Sequence, residues 1–233
     1  MKKSDLRSRE KEYKKIFFDY SYYDACKYLQ KKYGLTNKPY MIINKNGNLS
    51  KVKNLGRGRE GLFLHHIKED SVIMLCNIDC NIAYKYPLEF HAPKNLCYCD
   101  YFEHMILHWK LTLMYKNKRP LWEVDGKVIG MGIGIGGLVN FLLPEINFMY
   151  FKHRILKQKE TLPWRQACWK TLEPFFDLYI EFLKEIHKSL KKGDFTTIEP
   201  KWEDKMFSYK DSQLVLHHWK ELQKIVTKNL KGE

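Results

Sequence analysis

Four of the nine histidines in this 233-residue chain fall in a pattern that could do chemistry. His65 and His66 adjoin at the end of a short apolar run, Leu62-Phe63-Leu64. Further on, His104 and His108 stand four residues apart, a spacing that puts both on one face of a helix. Two imidazoles from a helix and a third from a neighbouring strand make a three-ligand metal site. Such a set leaves coordination positions for water or substrate, as a catalytic metal requires. A fourth imidazole beside it, with an ordinary pKa of about 6.5, can take a proton from water at neutral pH.

Several elements must position these side chains. The run before His65 reads as a strand, entered through the basic, flexible segment Gly56 to Gly61 (GRGREG). Asn95-Leu96-Cys97-Tyr98-Cys99 reads as a second strand. Asp100 can cap a helix from about Tyr101 to Tyr115, with Glu103 in its first turn. Between the strands, residues 67–94, with Pro87 and Pro93, read as an irregular connector. Upstream, residues 4–33 read as helix, capped by Ser4 or Asp5, broken near Ser21 and ended by Gly34. Residues 39–55 alternate around Asn46-Gly47, a hairpin signal. From Leu121 on, the pattern is mostly helical, with breaks at Gly126, the glycines of 130–137, Pro144, Pro163 and Gly193-Asp194. Residues 164–191 and 208–230 are the firmest helices there, and Pro174 should kink or split the first.

Strand, connector, strand, helix, with the paired histidines first and HxxxH last, is a ββα-metal layout. Leu64-His65-His66-Ile67, Asn95-Leu96-Cys97-Tyr98-Cys99 and Glu103-His104-x3-His108 resemble the HNH endonuclease family. They resemble in particular its His-His variant, seen in the nuclease domains of DNA-cleaving colicins. The resemblance covers roughly residues 55–115. It implies that His65, His104 and His108 hold a divalent metal ion (magnesium, manganese or zinc). It implies that His66 is the general base that activates water, and that Asn95 fixes the loop between the strands and so orients His66. Arg57 and Arg59, just before the first strand, are well placed to contact phosphates, an assignment that the family does not force. The stretch from His66 to Asn95 is longer than compact members use, so residues within Glu69 to Lys94 read as an insertion. His91, four before Asn95, could take one of these roles, but in its proline-flanked loop it reads as a solvated histidine.

Other features narrow the function. Lys and Arg total 41 against 27 Asp and Glu, a net charge of +14, which favours a polyanionic partner. Apolar residues at 44% and aromatics at 15% indicate a folded protein. Met1 to Lys15 is charged, with no apolar signal-peptide core, so the cytoplasm is expected. Val128 to Leu143, the most apolar stretch, carries five glycines and falls short of the roughly 20 residues of a membrane span, so no membrane is expected. Gly130 to Gly137 (GMGIGIGG) lacks the Lys-Ser/Thr of a Walker loop and the acidic partner of a dinucleotide fingerprint; it reads as close backbone packing or a hinge. Cys76-x3-Cys80 and Cys97-x-Cys99 depart from the usual zinc spacing, and the second pair reads as small apolar filler on a buried strand face. His217-His218 reads as a chance pair, and Trp164, Trp169, Trp202 and Trp219 as core. The Lys runs at 184–192 and 220–231 read as solvated helix faces that can also meet DNA backbone.

The expected fold class is α+β. A ββα-metal nuclease module at 36–118 would lie between an N-terminal helical segment at 1–35 and a mostly helical region at 119–233. The expected function is a metal-dependent endonuclease that hydrolyses phosphodiester bonds in double-stranded DNA, in a phage, mobile-element or restriction setting. Cutting both strands would take a homodimer or two events. The rival readings are an RNA-cleaving HNH enzyme and a non-catalytic nucleic-acid-binding protein with a structural zinc.

Overall fold

The computed structural model describes residues 3–114, 123–124, 127–128 and 134–191. It is a mixed architecture of helices and small antiparallel sheets. Helices α1 (Lys3–Phe18) and α2 (Tyr22–Tyr33) come first. The break between them is a capping event, with the Ser21 hydroxyl accepting from the Asp24 amide at 3.1 Å. Strands β1 (Met41–Ile43) and β2 (Leu49–Lys51) form the hairpin that Asn46-Gly47 predicts. Gly47 takes φ +77°, and the Asn44 side chain accepts from the amides of Asn46 and Asn48.

Strands β3 (Phe63–His66) and β4 (Leu96–Cys99) pair antiparallel, with His65 opposite Cys97 and His66 opposite Leu96. Helix α4 (Tyr101–Met114) follows at once. Its start is a reciprocal capping box. Asp100 Oδ1 accepts from the Glu103 amide at 2.9 Å, and Glu103 Oε2 accepts from the Asp100 amide at 2.8 Å. Both carboxylates are buried and need cations. Arg9 meets Asp100 at 2.6 Å, and Lys32 meets Glu103 at 2.6 Å, so α1 and α2 pin the β4–α4 junction. Asn95 lies just before β4, in the turn Pro93–Asn95, rather than in the strand. Cys97 and Cys99 are buried and Cys76 is exposed; the cysteines are free thiols.

The 67–94 connector is not irregular. It folds as the 3-10 turn Ile67–Asp70, helix α3 (Ile78–Ala83) and the turns Leu88–His91 and Pro93–Asn95. A satellite apolar cluster of Val72, Leu75 and Tyr86 holds it. Asn77 caps α3 by accepting from the Cys80 amide at 3.0 Å.

Among the described residues, helix α4 is central to the main core. Most of its residues are buried, including the polar Glu103, Lys110 and Thr112. Phe102, Met105, Ile106 and Trp109 share one core with Tyr13, Ile16 and Phe17 of α1. The same core takes residues of α6 (Leu143–Tyr150), α7 (Pro163–Leu172) and α8 (Phe176–Lys191), so it draws on all three segments of the chain. Phe17 stacks on Phe182 at 4.1 Å.

Two expectations for the C-terminal half are corrected. Glu123–Val124 (β5) and Lys127–Val128 (β6) pair as antiparallel strands rather than extending a helical region. Pro144 does not break its helix. The short helix α5 (Ile135–Gly137) runs through the π turn Leu138–Leu142 into α6, and a wide turn admits a proline ring without ending the helix. Pro174 does split its helix, through the 3-10 turn Glu173–Phe175. The glycines at 130 and 132, Gly193-Asp194, Trp202, His217-His218, Trp219, the 208–230 helix and the 220–231 Lys run lie outside the described residues. Among the described residues, no helix is long and apolar enough to cross a membrane.

Candidate metal centre

Strand β3 carries two histidines side by side, and a strand sends adjacent side chains to opposite faces. Each histidine has its own surroundings. His65 faces α4. Its ring lies 5.3 Å from the rings of both His104 and His108, which are 4.9 Å from each other. One nitrogen from each of the three imidazoles lies within 4.8 Å of the others. The structure therefore brings together the three metal ligands expected from the sequence.

The hydrogen bonds around this cluster leave lone pairs facing inward. The Tyr22 hydroxyl donates to the Ile67 carbonyl at 2.9 Å, so His65 Nε2, also 2.9 Å from that hydroxyl, must be the donor to it. That leaves His65 Nδ1 unprotonated, and it has no partner although it is buried. His108 Nδ1 donates to the Gly134 carbonyl at 3.2 Å, which leaves its Nε2 bare. His104 Nδ1 is likewise buried without a partner. Such second contacts are what fix tautomer and ring direction in metal-binding histidines.

Electrostatics agree with a neutral donor set. Burial, then the neighbouring rings, holds His65 and His104 well below the usual histidine pKa; burial holds His108 at about 4. Unpartnered buried nitrogens are costly in isolation, and a divalent cation would satisfy them together. The residues present therefore fit a metal ion.

Glu69 joins this face and was not expected there. Its Oε2 lies 3.5 Å from His108 Nε2 and 3.8 Å from His65 Nδ1. Its side chain is 19% exposed, and burial raises its pKa to about 8. A bound cation would draw that carboxylate into its ionised form. The only signal in the sequence was a carboxylate four residues after His65.

The glycine cluster is close backbone packing where it is described. Gly134 takes φ +84°, and a Cβ there would stand 2.6 Å from the Thr112 nitrogen and 2.7 Å from the His108 carbonyl oxygen. A Cβ on Gly137 would land on the His108 imidazole. The 134–137 turn thus approaches α4 closely enough to supply His108 with its acceptor.

His66 faces the connector. It is 1% exposed, with its ring edge-on to Tyr40 at 4.6 Å. Its Nε2 lies 3.3 Å from His91 Nδ1, and His91 Nε2 lies 2.8 Å from Asn81 Oδ1. Burial, then His91 and Lys51, lowers the His66 pKa to about 3. His91 is 1% exposed, so the expectation of a solvated loop histidine is corrected. Its turn packs inward, with the His91 carbonyl accepting from the Tyr40 amide at 2.8 Å.

Asn95 donates through Nδ2 to the Glu89 carbonyl at 2.8 Å, in the turn that carries His91. It thus reaches His66 at one remove, through the loop. Arg57 is engaged within the chain. It donates to the Tyr33 carbonyl at 2.8 Å, pairs with Glu60 and lies over the Tyr98 ring at 5.0 Å. Arg59 is exposed. Comparison of the chain with protein-family models, with curated proteins and with solved structures finds no match.

Proposed function

We propose that this protein is a metal-dependent endonuclease of the HNH kind, cutting phosphodiester bonds in DNA. The observation that supports it best is the convergence of three uncharged imidazoles on a β-β-α unit, two with orphaned buried nitrogens, beside a fourth buried imidazole. A structural site has no use for that fourth ring.

His65, His104 and His108 would hold the ion. When bound, it supplies charge stabilisation at the scissile phosphate and the leaving 3′ oxygen. His66, uncharged at neutral pH, takes a proton from the attacking water. Asn95 ties down the loop behind His66. Arg59 offers a free guanidinium to a neighbouring phosphate, and the +14 net charge supports a polyanionic substrate.

The test is cleavage of supercoiled plasmid, single-stranded DNA and RNA with magnesium, manganese or zinc, with and without chelator. Plasmid nicking that chelator stops is expected. His66→Ala should lower the rate on the order of 100-fold or more while still binding the metal. Nicking by His66→Ala at the wild-type rate would sink the reading. One observation favours a second reading, a nucleic-acid-binding protein with structural zinc: the Glu69 carboxylate faces two of the imidazoles and could close the coordination. That reading expects zinc binding and no cleavage of any of the three substrates.

A further inference from the structure

We propose that Asn81 and His91 form a positioning relay that holds His66 in the tautomer with a bare Nδ1. The inference rests on the reading of His66 as a general base. The relay runs in one direction only. Asn81 Nδ2 donates to the carbonyls of Leu75 at 2.9 Å and Asn77 at 2.6 Å, so Oδ1 is the atom that faces His91. An amide oxygen only accepts, so His91 Nε2, at 2.8 Å, carries the proton. A neutral imidazole has one N–H, which leaves a lone pair on His91 Nδ1. His66 Nε2, 3.3 Å away, therefore donates to it, and the lone pair of His66 is on Nδ1.

Burial protects this order. His66 and His91 are each 1% exposed and Asn81 is 3% exposed, so water does not compete for the bonds. Burial also lowers the pKa of His91, which favours its neutral form. Tyr40 walls the pair, edge-on to His66 and stacked toward His91 at 6.1 Å.

The relay gives the base a defined atom. As the attacking oxygen bonds to phosphorus, its proton moves to His66 Nδ1. The P–O3′ bond breaks with its electron pair going to oxygen, and solvent protonates that oxygen. His66, now charged, keeps its Nε2–H on the His91 lone pair. His91 takes no proton; it orients the base and supports its charge. The connector residues 67–95 are then part of the catalytic architecture rather than an insertion between its strands.

Two near-isosteric substitutions separate this role from packing. In His91→Asn, the amide oxygen can stand near the position of Nδ1 and still accept from His66. In His91→Gln, the amide nitrogen can stand near Nε2 and keep the Asn81 contact, but it offers His66 no acceptor. The relay predicts a kcat for His91→Asn within about threefold of wild type. It predicts losses of about 10- to 100-fold for His91→Gln and His91→Ala, with KM and zinc affinity unchanged. A packing role predicts that His91→Gln, closer in size, keeps more activity than His91→Asn, with His91→Ala lowest, and that ranking would overturn the proposal. Nitrogen-15 spectra of the wild-type imidazoles decide the tautomer without any turnover. Protonation of His66 at Nε2 is expected; protonation at Nδ1 overturns the relay. If wild-type protein cleaves nothing, the nuclease reading fails, and the spectra still answer for the relay.

Discussion

The two faces of strand β3 are built by different means. On the His65 face, the other two imidazoles come from α4, which follows β4 directly and starts at a capping box. Sequence neighbours do the positioning, and regular secondary structure carries the three imidazoles. On the His66 face, the partners are Tyr40, Asn81 and His91, brought in by a hairpin and a connector that has its own small core. The first face depends on one helix and a close glycine turn. The second depends on a satellite fold of three buried apolar residues. The proposed metal site and the proposed base can thus sit on adjacent residues and still fail independently, because different parts of the chain hold them.

The largest separation of the two faces should come from Leu75→Ala. Leu75 is fully buried in the satellite cluster, and truncating a buried leucine costs about 2–5 kcal/mol. The loss should be local, since the cluster is separate from the main core. Hydrogen exchange should accelerate at the α3 amides while those of α4 stay protected. Zinc affinity, read by competition with a chromophoric chelator, should hold while plasmid nicking falls. Equal loss of protection in α3 and α4 would show that the two faces are one cooperative unit.

This division also decides what the sequence could reveal. The β3–β4–α4 unit was legible because each of its signals is local: the Asp100 cap with Glu103 in the first turn, the HxxxH spacing and the apolar run before His65. The Asn46-Gly47 hairpin and the split at Pro174 were legible for the same reason. Glu69, Asn81 and His91 were not, because nothing periodic marks them. Their places follow from a satellite cluster and from side-chain bonds to carbonyls such as that of Leu75. Tyr22 was hidden for a related reason: it reaches His65 only because α2 packs beside β4. Pro144 misled because a π turn relieves a proline that an ordinary α-helix would reject.

A smaller effect, confined to the His65 face, should come from Gly137→Ala. The added methyl meets the His108 ring, which must rotate away from its cluster and from the Gly134 carbonyl. Loss of such a supporting contact typically weakens metal binding about 10- to 100-fold, or about 1.4–2.8 kcal/mol. Zinc competition should show that drop, while the nitrogen-15 signals of His66 and His91 stay where they are. Unchanged zinc affinity would mean that His108 is not a ligand and that the site is held by His65 and His104 with another group.

The smallest effect belongs to the entrance of β3, where two arginines two residues apart have unlike surroundings. Arg57 is held by Glu60, the Tyr33 carbonyl and the Tyr98 ring, whereas Arg59 is exposed. A guanidinium that touches a phosphate releases about 0.9 of a counterion on duplex DNA, so its removal should flatten the slope of log affinity against log salt by about 0.9. Arg59→Ala should do this in fluorescence anisotropy with chelator present, with binding a few-fold weaker at moderate salt and the melting temperature unchanged. Arg57→Ala should leave the slope alone and lower the melting temperature instead, because its bonds join α2 to the turn before β3. If Arg57→Ala flattens the slope and Arg59→Ala does not, Arg57 must release Glu60 to reach the phosphate. The ion pair between them would then be a latch on the strand that carries both histidines, and the two faces of β3 would share one point of control.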